Sequence, residues 1–278
     1  MPITNNRPFR FIYTGENDSA TNMAIDEAVM TGLRQGTSEP LLRIYKWQPP
    51  TITIGYFQSA EDIDFERCRQ DGIGVVRRLT GGRAVLHWEE LTYSILFSAG
   101  DFTPFHKKEI FTFIARCLVD SLSLLGIHAG IAEKTRGDMK SADCFAAPAQ
   151  YEVESVGQQK LIGSAQTIKD GVVLQHGAIP YNSRYTDIEK YLKKNEGSGR
   201  KNATLKSAAL KSAALRSATS LSLVSGRRVS DEELLDALRE GFSKYLPLTE
   251  GALTEVENSL AVKLADRKYA SDDWMFRR

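Results

Sequence analysis

Apolar residues in this chain fall into short alternating or continuous runs, and the runs come in series rather than in regular alternation with helices. FRFIYTG (9–15) predicts a strand ending at a glycine, and SATNMAIDEAVMTGL (19–33) predicts a helix capped by Ser19 or Thr21. LLRIYKW (41–47) and TITIGYF (51–57) flank Gln48-Pro49-Pro50, which no helix can cross, and predict a hairpin-like pair of strands. A short helix over IDFERCRQDGI follows, then three strand candidates, GVVRRL, AVLHW and LTYSILFS, around the turn Thr80-Gly81-Gly82. KKEIFTFIARCLVDSLSLLGI (107–127) has the strongest helical period in the sequence. A second β series, AQYEVESV, KLIGSAQTI and VVLQHGAIPY, is joined by the turns Gly157-Gln158-Gln159 and Lys169-Asp170-Gly171. Ser230-Asp-Glu-Glu233 forms a capping box that opens the helix DEELLDALREGFSKYL. A last helix, ALTEVENSLAVKLADRKYAS, and an aromatic-basic tail, DDWMFRR, close the chain. The fold class expected from strands in runs is α/β (α+β), a mixed or antiparallel central sheet flanked by helices, rather than a doubly wound nucleotide fold.

One segment differs in kind. Within 195–226, Leu-Lys-Ser-Ala-Ala repeats so that Leu205, Leu210 and Leu215 fall every fifth residue. Each step turns about 140° around a helix, so the leucines form no single buried stripe. Residues 197–222 are therefore expected to be a mobile Ser/Ala/Lys-rich insert within one catalytic domain spanning 1–278, with too little apolar surface to offset ordering entropy.

Charge and cysteine content then narrow the classes of function. Thirty-six basic and 35 acidic residues leave a net charge of +1, which calls for no nucleic acid and no anionic membrane. No apolar run approaches the roughly 20 residues that cross a bilayer. The opening MPITNNRPFRFIYTG lacks an apolar signal core, and three widely spaced cysteines make no disulfide framework, so a cytoplasmic protein is expected. The four histidines, His87, His106, His128 and His176, show no metal-ligand spacing, and no phosphate-cradling glycine motif is present.

Candidate chemistry concentrates at three places. In Arg77-Arg78-Leu79-Thr80-Gly81-Gly82-Arg83, glycine amides and arginines could meet an anionic or carbonyl-bearing ligand, or could form a tight turn with solvated arginines. His176, before Gly177, could line a pocket or serve the core. Among the cysteines, Cys117 lies inside an apolar helix and Cys68 among charges, whereas Cys144 lies on a loop of small residues, SADCFAAPAQ, where a substrate could approach. A thiol of ordinary pKa is only about 3% ionised at neutral pH, and a nearby ammonium such as Lys160 would favour its thiolate if the loop folds back on the strand. A solvated lysine at a hairpin end is the competing reading.

The segments NMAIDEAV, IGYFQ, RRLTGGRAVLH with LTYSI, DCFAAPAQYEV, GQQKLIGSAQ and LQHGAI, in that order, resemble the lipoyl/octanoyl-transferring branch of the biotin/lipoate protein ligase superfamily. The resemblance implies that superfamily's catalytic-domain fold. It implies Cys144 as a nucleophile that carries the acyl group as a thioester, and Lys160 as the residue that lowers its pKa and serves as a base. It further implies that Arg78, Gly81, Gly82, His87, Ser164, Ala165, His176 and Gly177 line the acyl tunnel or its mouth. Where ligases of the superfamily carry an Arg-Asn-Asp type segment, this chain has Asp143-Cys144-Phe145, and Leu79-Thr80-Gly81-Gly82 differs from the Asn-Ser-Gly-Gly of the sister amidotransferases. The implied activity is transfer of octanoyl from acyl carrier protein to a lysine of a lipoyl domain in lipoate biosynthesis, by a monomer needing neither ATP nor metal. The basic insert or Arg77, Arg78 and Arg83 would steer the acidic protein substrates. Three other readings stand beside it: an ATP-dependent lipoate or octanoate ligase, an octanoyl amidotransferase between lipoyl domains, and a non-enzymatic acyl-carrier-binding protein.

Overall fold

The computed structural model describes residues 3–4, 7–133, 151–193 and 217–277. Its first strand, β1 (Phe9–Asn17), runs into helix α1 (Ser19–Gln35), whose cap is Asp18: Oδ1 of its carboxylate accepts the Thr21 backbone N–H at 2.8 Å. The cap is thus one residue earlier than Ser19. Gly36 ends the helix in the left-handed conformation (φ 72°).

Strands β2 (Leu41–Trp47) and β3 (Thr51–Ile54) are not the hairpin the sequence suggested. The Pro49-Pro50 connection carries the chain from one sheet to another. β3 pairs instead with β4 (Gly74–Arg77), in parallel, and with β5 (Val85–His87), antiparallel. Helix α2 (Phe65–Gln70) links β3 to β4, as its sequence predicts. This three-stranded sheet has its own core, in which Ile52, Ile54, Leu86 and Ile188 meet Met275 from the end of the described chain.

The larger sheet adds β6 (Glu90–Ser98), β7 (Ala129–Ile131), β8 (Val153–Ser155), β9 (Lys160–Lys169), β10 (Val172–Pro180) and β11 (Leu248–Glu250), in the order β11-β1-β2-β6-β10-β9-β8-β7. β1 runs parallel to both of its neighbours, and the other pairings described are antiparallel. Along β6 and β10 odd and even positions face opposite sides, as strand geometry requires. Tyr93, Ile95 and Phe97 join the core built with α3 (Lys107–Leu124), through Ile114 and Leu118. The short α4 (Leu221–Ser225) and α5 (Asp231–Ser243) add Leu221, Leu238 and Phe242 to that core. The opposite face meets α1, where Val29 and Leu33 meet Leu41, Leu96 and Leu174. Helix α6 (Glu255–Leu264) covers α1, and α7 (Asp272–Met275) closes the described chain.

The capping box at Ser230 is formed as its spacing predicts, with Glu233 N–H to Ser230 Oγ and Ser230 N–H to Glu233 Oε2. The expected insert 197–222 lies outside the described residues except at its end. There, residues 217–222 belong to the packed fold: Ala218, Ser220 and Leu221 are buried, and the Thr219 N–H donates to the Lys160 carbonyl at 2.8 Å. Pairing to β9 explains the difference, because strand partners 58 residues away carry no local pattern.

Candidate active site

The two sheets meet around one pocket. Its floor comes from the large sheet, where Gly163 and Ala165 of β9 and Ala178 of β10 leave space that larger side chains would fill. Tyr45 and Trp47 of β2, Met23 of α1 and Val85 of β5 supply apolar walls. The empty space within the pocket, counting its open mouth, is about 360 Å³. Small residues side by side on neighbouring strands open this cavity, since Gly177 pairs with Ser164 and Ala178 with Gly163 across the ladder.

Polar groups on the wall are held by one another. His176 Nε2 lies 2.7 Å from Thr80 Oγ1, and its Nδ1 lies 3.6 Å from Asp26 Oδ2, a charge contact longer than a hydrogen bond. Asp26 also receives Arg43 Nη1 and Ser94 Oγ, each at 2.9 Å on Oδ1. Burial alone would push the Asp26 carboxyl up, but His176, Arg43 and Ser94 outweigh it and hold the group below the ordinary carboxylate value. For His176 the balance is reversed: burial dominates the attraction of Asp26 and lowers its pKa. His87 stacks on Trp47 at 4.5 Å between ring centres, with Nδ1 2.7 Å from Glu90 Oε1 and Nε2 2.9 Å from Thr53 Oγ1.

Arg78 joins these groups. Its Nε donates to Thr80 Oγ1, Nη1 to the Thr53 carbonyl and hydroxyl, and Nη2 to the carbonyls of Gly81 and Arg83, all within 2.8–3.1 Å. Arg77 is equally engaged, with Nη1 on the carbonyls of Gly55, Tyr56 and Gln58 and Nη2 on that of Met275. Both side chains are buried, so neither can steer a partner from solution, as the sequence reading allowed. The acceptors of Arg77 are backbone carbonyls, and those of Arg78 are backbone carbonyls and two threonine hydroxyls, which composition does not reveal.

Of the residues the sequence singled out, Arg78, His87, Ser164, Ala165, His176 and Gly177 line this pocket. Gly81 and Gly82 do not; they form the turn that Arg78 grips. Gly82 has φ 96°, and its carbonyl oxygen lies 1.9 Å from where a Cβ on Gly55 would be, so the two loops touch backbone to backbone. Gly177 is close-packed in the same way: a Cβ there would sit 2.6 Å from the Tyr93 ring and 2.7 Å from Ser164 Oγ.

Lys160 is not the solvated hairpin lysine. It is 1% exposed, and its Nζ lies 2.8 Å from Glu152 Oε1. The same carboxylate oxygen accepts the backbone N–H of Ser164 at 3.3 Å, which ties the lysine to the strand that floors the pocket. Cys144 lies outside the described residues. The other two thiols are buried, and burial pushes Cys68 up to about 11 and Cys117 higher still, so neither is a ready nucleophile.

Sequence reasoning missed Asp26, Glu90, Glu152, Thr53, Trp47 and Ala178. For Asp26 a signal exists, because an acid three residues after Met23 on the buried face of an apolar helix requires a buried partner.

No helix among the described residues is long and apolar enough to cross a membrane. Relatives agree with the architecture. Octanoyltransferase LipM of Moorella thermoacetica is 39% identical, with 97% of this chain and 98% of that protein aligned. The Clostridioides difficile protein of the same name is 38% identical over 97% and 99%. Among solved structures, a bi-partite lipoate protein ligase from Thermoplasma acidophilum superposes with a TM-score of 0.78 at 27% identity, covering 97% of this chain and 96% of that one. A lipoate-protein ligase A bound with ATP gives a TM-score of 0.76 at 26% identity, over 97% and 98%. Residues 18–243, which carry both sheets' pocket-lining strands, match the lipoyl protein ligase A/B catalytic domain, and the chain belongs to that family.

Proposed function

We propose that this protein is an octanoyltransferase of lipoate biosynthesis that moves octanoyl from acyl carrier protein to a lysine of a lipoyl domain, through a thioester on Cys144. Its relatives named octanoyltransferase support the reaction class, and the chain matches them over nearly its whole length. The observation that carries the choice of ligand is the mostly apolar lining of the pocket, with Gly163, Ala165 and Ala178 among its small residues, which suits an acyl chain. Each buried methylene contributes about 0.8 kcal/mol, so an octyl chain brings several kcal/mol of binding.

In the first half-reaction the Cys144 thiolate attacks the thioester carbonyl, and the carrier's thiolate leaves with a proton from the Lys160 ammonium, which becomes a neutral amine. In the second, the neutral lysine amine of the acceptor attacks the acyl-enzyme, an amide forms, the Cys144 thiolate departs, and the amine's proton passes to Lys160. The thioester supplies the activation, so no nucleotide is consumed. The burial of Lys160 on β9, one hydrogen-bond link from Ser164, supports its place beside the reacting end of the chain. With Cys68 and Cys117 buried, Cys144 remains the candidate nucleophile. A reducing cytoplasm suits such a thiol.

The test is incubation with octanoyl acyl carrier protein without ATP, followed by intact mass measurement. A hydroxylamine-labile octanoyl adduct on the wild type and none on Cys144→Ser is the expected result. Full octanoyl transfer by Cys144→Ser would rule out the thioester, and dependence on ATP would select the ligase reading.

A further inference from the structure

The polar side chains on the pocket wall form a chain of hydrogen bonds whose direction is fixed at both ends by groups that can play only one role. Arg78 Nε lies 3.1 Å from Thr80 Oγ1, and Nη1 lies 3.1 Å from Thr53 Oγ1. A guanidinium only donates, so each threonine oxygen receives a proton from Arg78 and keeps its own to give. The remaining neighbours of those hydroxyls are His176 Nε2 at 2.7 Å and His87 Nε2 at 2.9 Å. Each Nε2 is the acceptor the structure offers to that buried hydroxyl proton, so satisfying the proton makes Nε2 accept and places the ring proton on Nδ1.

The far side of each ring agrees. His87 Nδ1 is 2.7 Å from Glu90 Oε1, and His176 Nδ1 faces Asp26 Oδ2, the oxygen of that buried carboxylate without another hydrogen-bond partner. Carboxylates only accept. A second donor-only group enters the chain from the other end: Trp47 Nε1 donates to Thr92 Oγ1 at 2.7 Å, and Thr92 gives its proton to Glu90 Oε1 at 2.6 Å. The His87 and Trp47 branches thus both run from a donor-only group to the Glu90 carboxylate, whereas the His176 branch ends at the 3.6 Å contact with Asp26, longer than a hydrogen bond.

We infer that Arg78 is a positioning residue which, acting through Thr53 and Thr80, holds His87 and His176 as neutral Nδ1–H imidazoles on the pocket wall. An imidazolium would donate from both nitrogens and leave the threonine proton facing another donor. It would also set a charge against the apolar floor of Gly163, Ala165 and Ala178, where desolvation is costly. Besides their carboxylates, the charged or titratable groups acting on His176 are Arg78 and His87. Neither ring serves as a general base in this arrangement, because both Nε2 lone pairs are occupied. The inference deepens the acyl-pocket reading and rests on it for the ligand, but the tautomers can be read without any acyl donor.

Long-range ¹H–¹⁵N NMR of the imidazole rings in the full chain at pH 7.5 tests it. The wild type should show the Nδ1–H pattern for both residues. Thr80→Val should move the Nε2 resonance of His176 toward the protonated position while leaving His87 unchanged, and Thr53→Val should do the reverse. Arg78→Lys should disturb both rings, and if it does not fold, the two threonine variants still decide. A wild-type ring found as Nε2–H or doubly protonated, or a threonine variant whose partner ring is unchanged, overturns the inference. Either result leaves the octanoyl adduct of the preceding section untouched, so the two readings fail separately.

Discussion

Lys160 Nζ and Glu152 Oε1 stand 2.8 Å apart with both side chains almost completely buried. Breaking a buried pair from one side is costly, whereas replacing both members with apolar residues is often nearly neutral. Glu152→Gln is therefore expected to lower stability by about 3–5 kcal/mol, and Lys160→Met with Glu152→Leu to recover most of that loss without recovering acyl transfer. Urea unfolding of the single and double variants measures this. A Glu152→Gln protein as stable as wild type would mean that the pair does not support the fold.

The pocket floor predicts acyl selectivity. Ala178→Val or Ala165→Val puts extra methyl groups into the cavity, so the chain it accepts becomes shorter. Each methylene excluded weakens binding by about 0.8 kcal/mol, a factor of about four. Competition between hexanoyl and octanoyl thioesters should shift toward hexanoyl by at least that factor, and an unchanged ratio would place the chain's end elsewhere.

Acid should destabilise the fold through two neighbouring groups. Burial lowers the pKa of His176, so on acidification below about 6.5 the unfolded chain takes up a proton that the folded one refuses, and stability falls with pH. For Asp26, burial acts against the charged form, yet His176, Arg43 and Ser94 depress its pKa; its contribution is present above about pH 4 and disappears as pH falls through the folded value. His176→Gln should flatten the decline in urea midpoint just below about pH 6.5 and weaken, without removing, the loss below about pH 4, since Arg43 and Ser94 still depress the Asp26 pKa. An unaltered slope would assign the upper step to another group.

Arg77 is predicted to be irreplaceable by lysine. Its planar fork reaches carbonyls on two segments at once, Gly55 to Gln58 on one side and Met275 on the other, which a single ammonium cannot do. Arg77→Lys should cost at least about 2 kcal/mol, since hydrogen bonds to charged groups contribute about 1.5–3 kcal/mol each. It should also expose the α7 segment to limited proteolysis; resistance equal to wild type would count against the role.

What the sequence made legible is local. The capping box at Ser230 and Glu233, the long period of α3 and the strands of the second β series are set by neighbours within a few residues, and they stand where the pattern places them. Pairing is another matter. β2 and β3 have the right residues for strands, but nothing within them says that Pro49-Pro50 sends the second to a different sheet. The site divides along the same line. The residues alone leave His176 as a pocket or core residue, and Gly177 is implied by the family resemblance; both line the pocket, in the middle of β10 rather than at the strand end the pattern suggested. Lys160 looked solvated because its partner Glu152 stands just before a different strand, β8, and Arg77 looked available because its partners are backbone oxygens, in the case of Met275 198 residues away.

That last separation has a consequence for how the protein is made. The small sheet that walls the pocket is held by Arg77 to residues 274 and 275, so β3, β4 and β5 can be synthesised and paired long before their clasp exists. During translation the wall waits, with Ile52, Ile54 and Leu86 lacking Met275, until the ribosome delivers that last turn. The order of synthesis makes closing the pocket wall one of the late steps in building the enzyme.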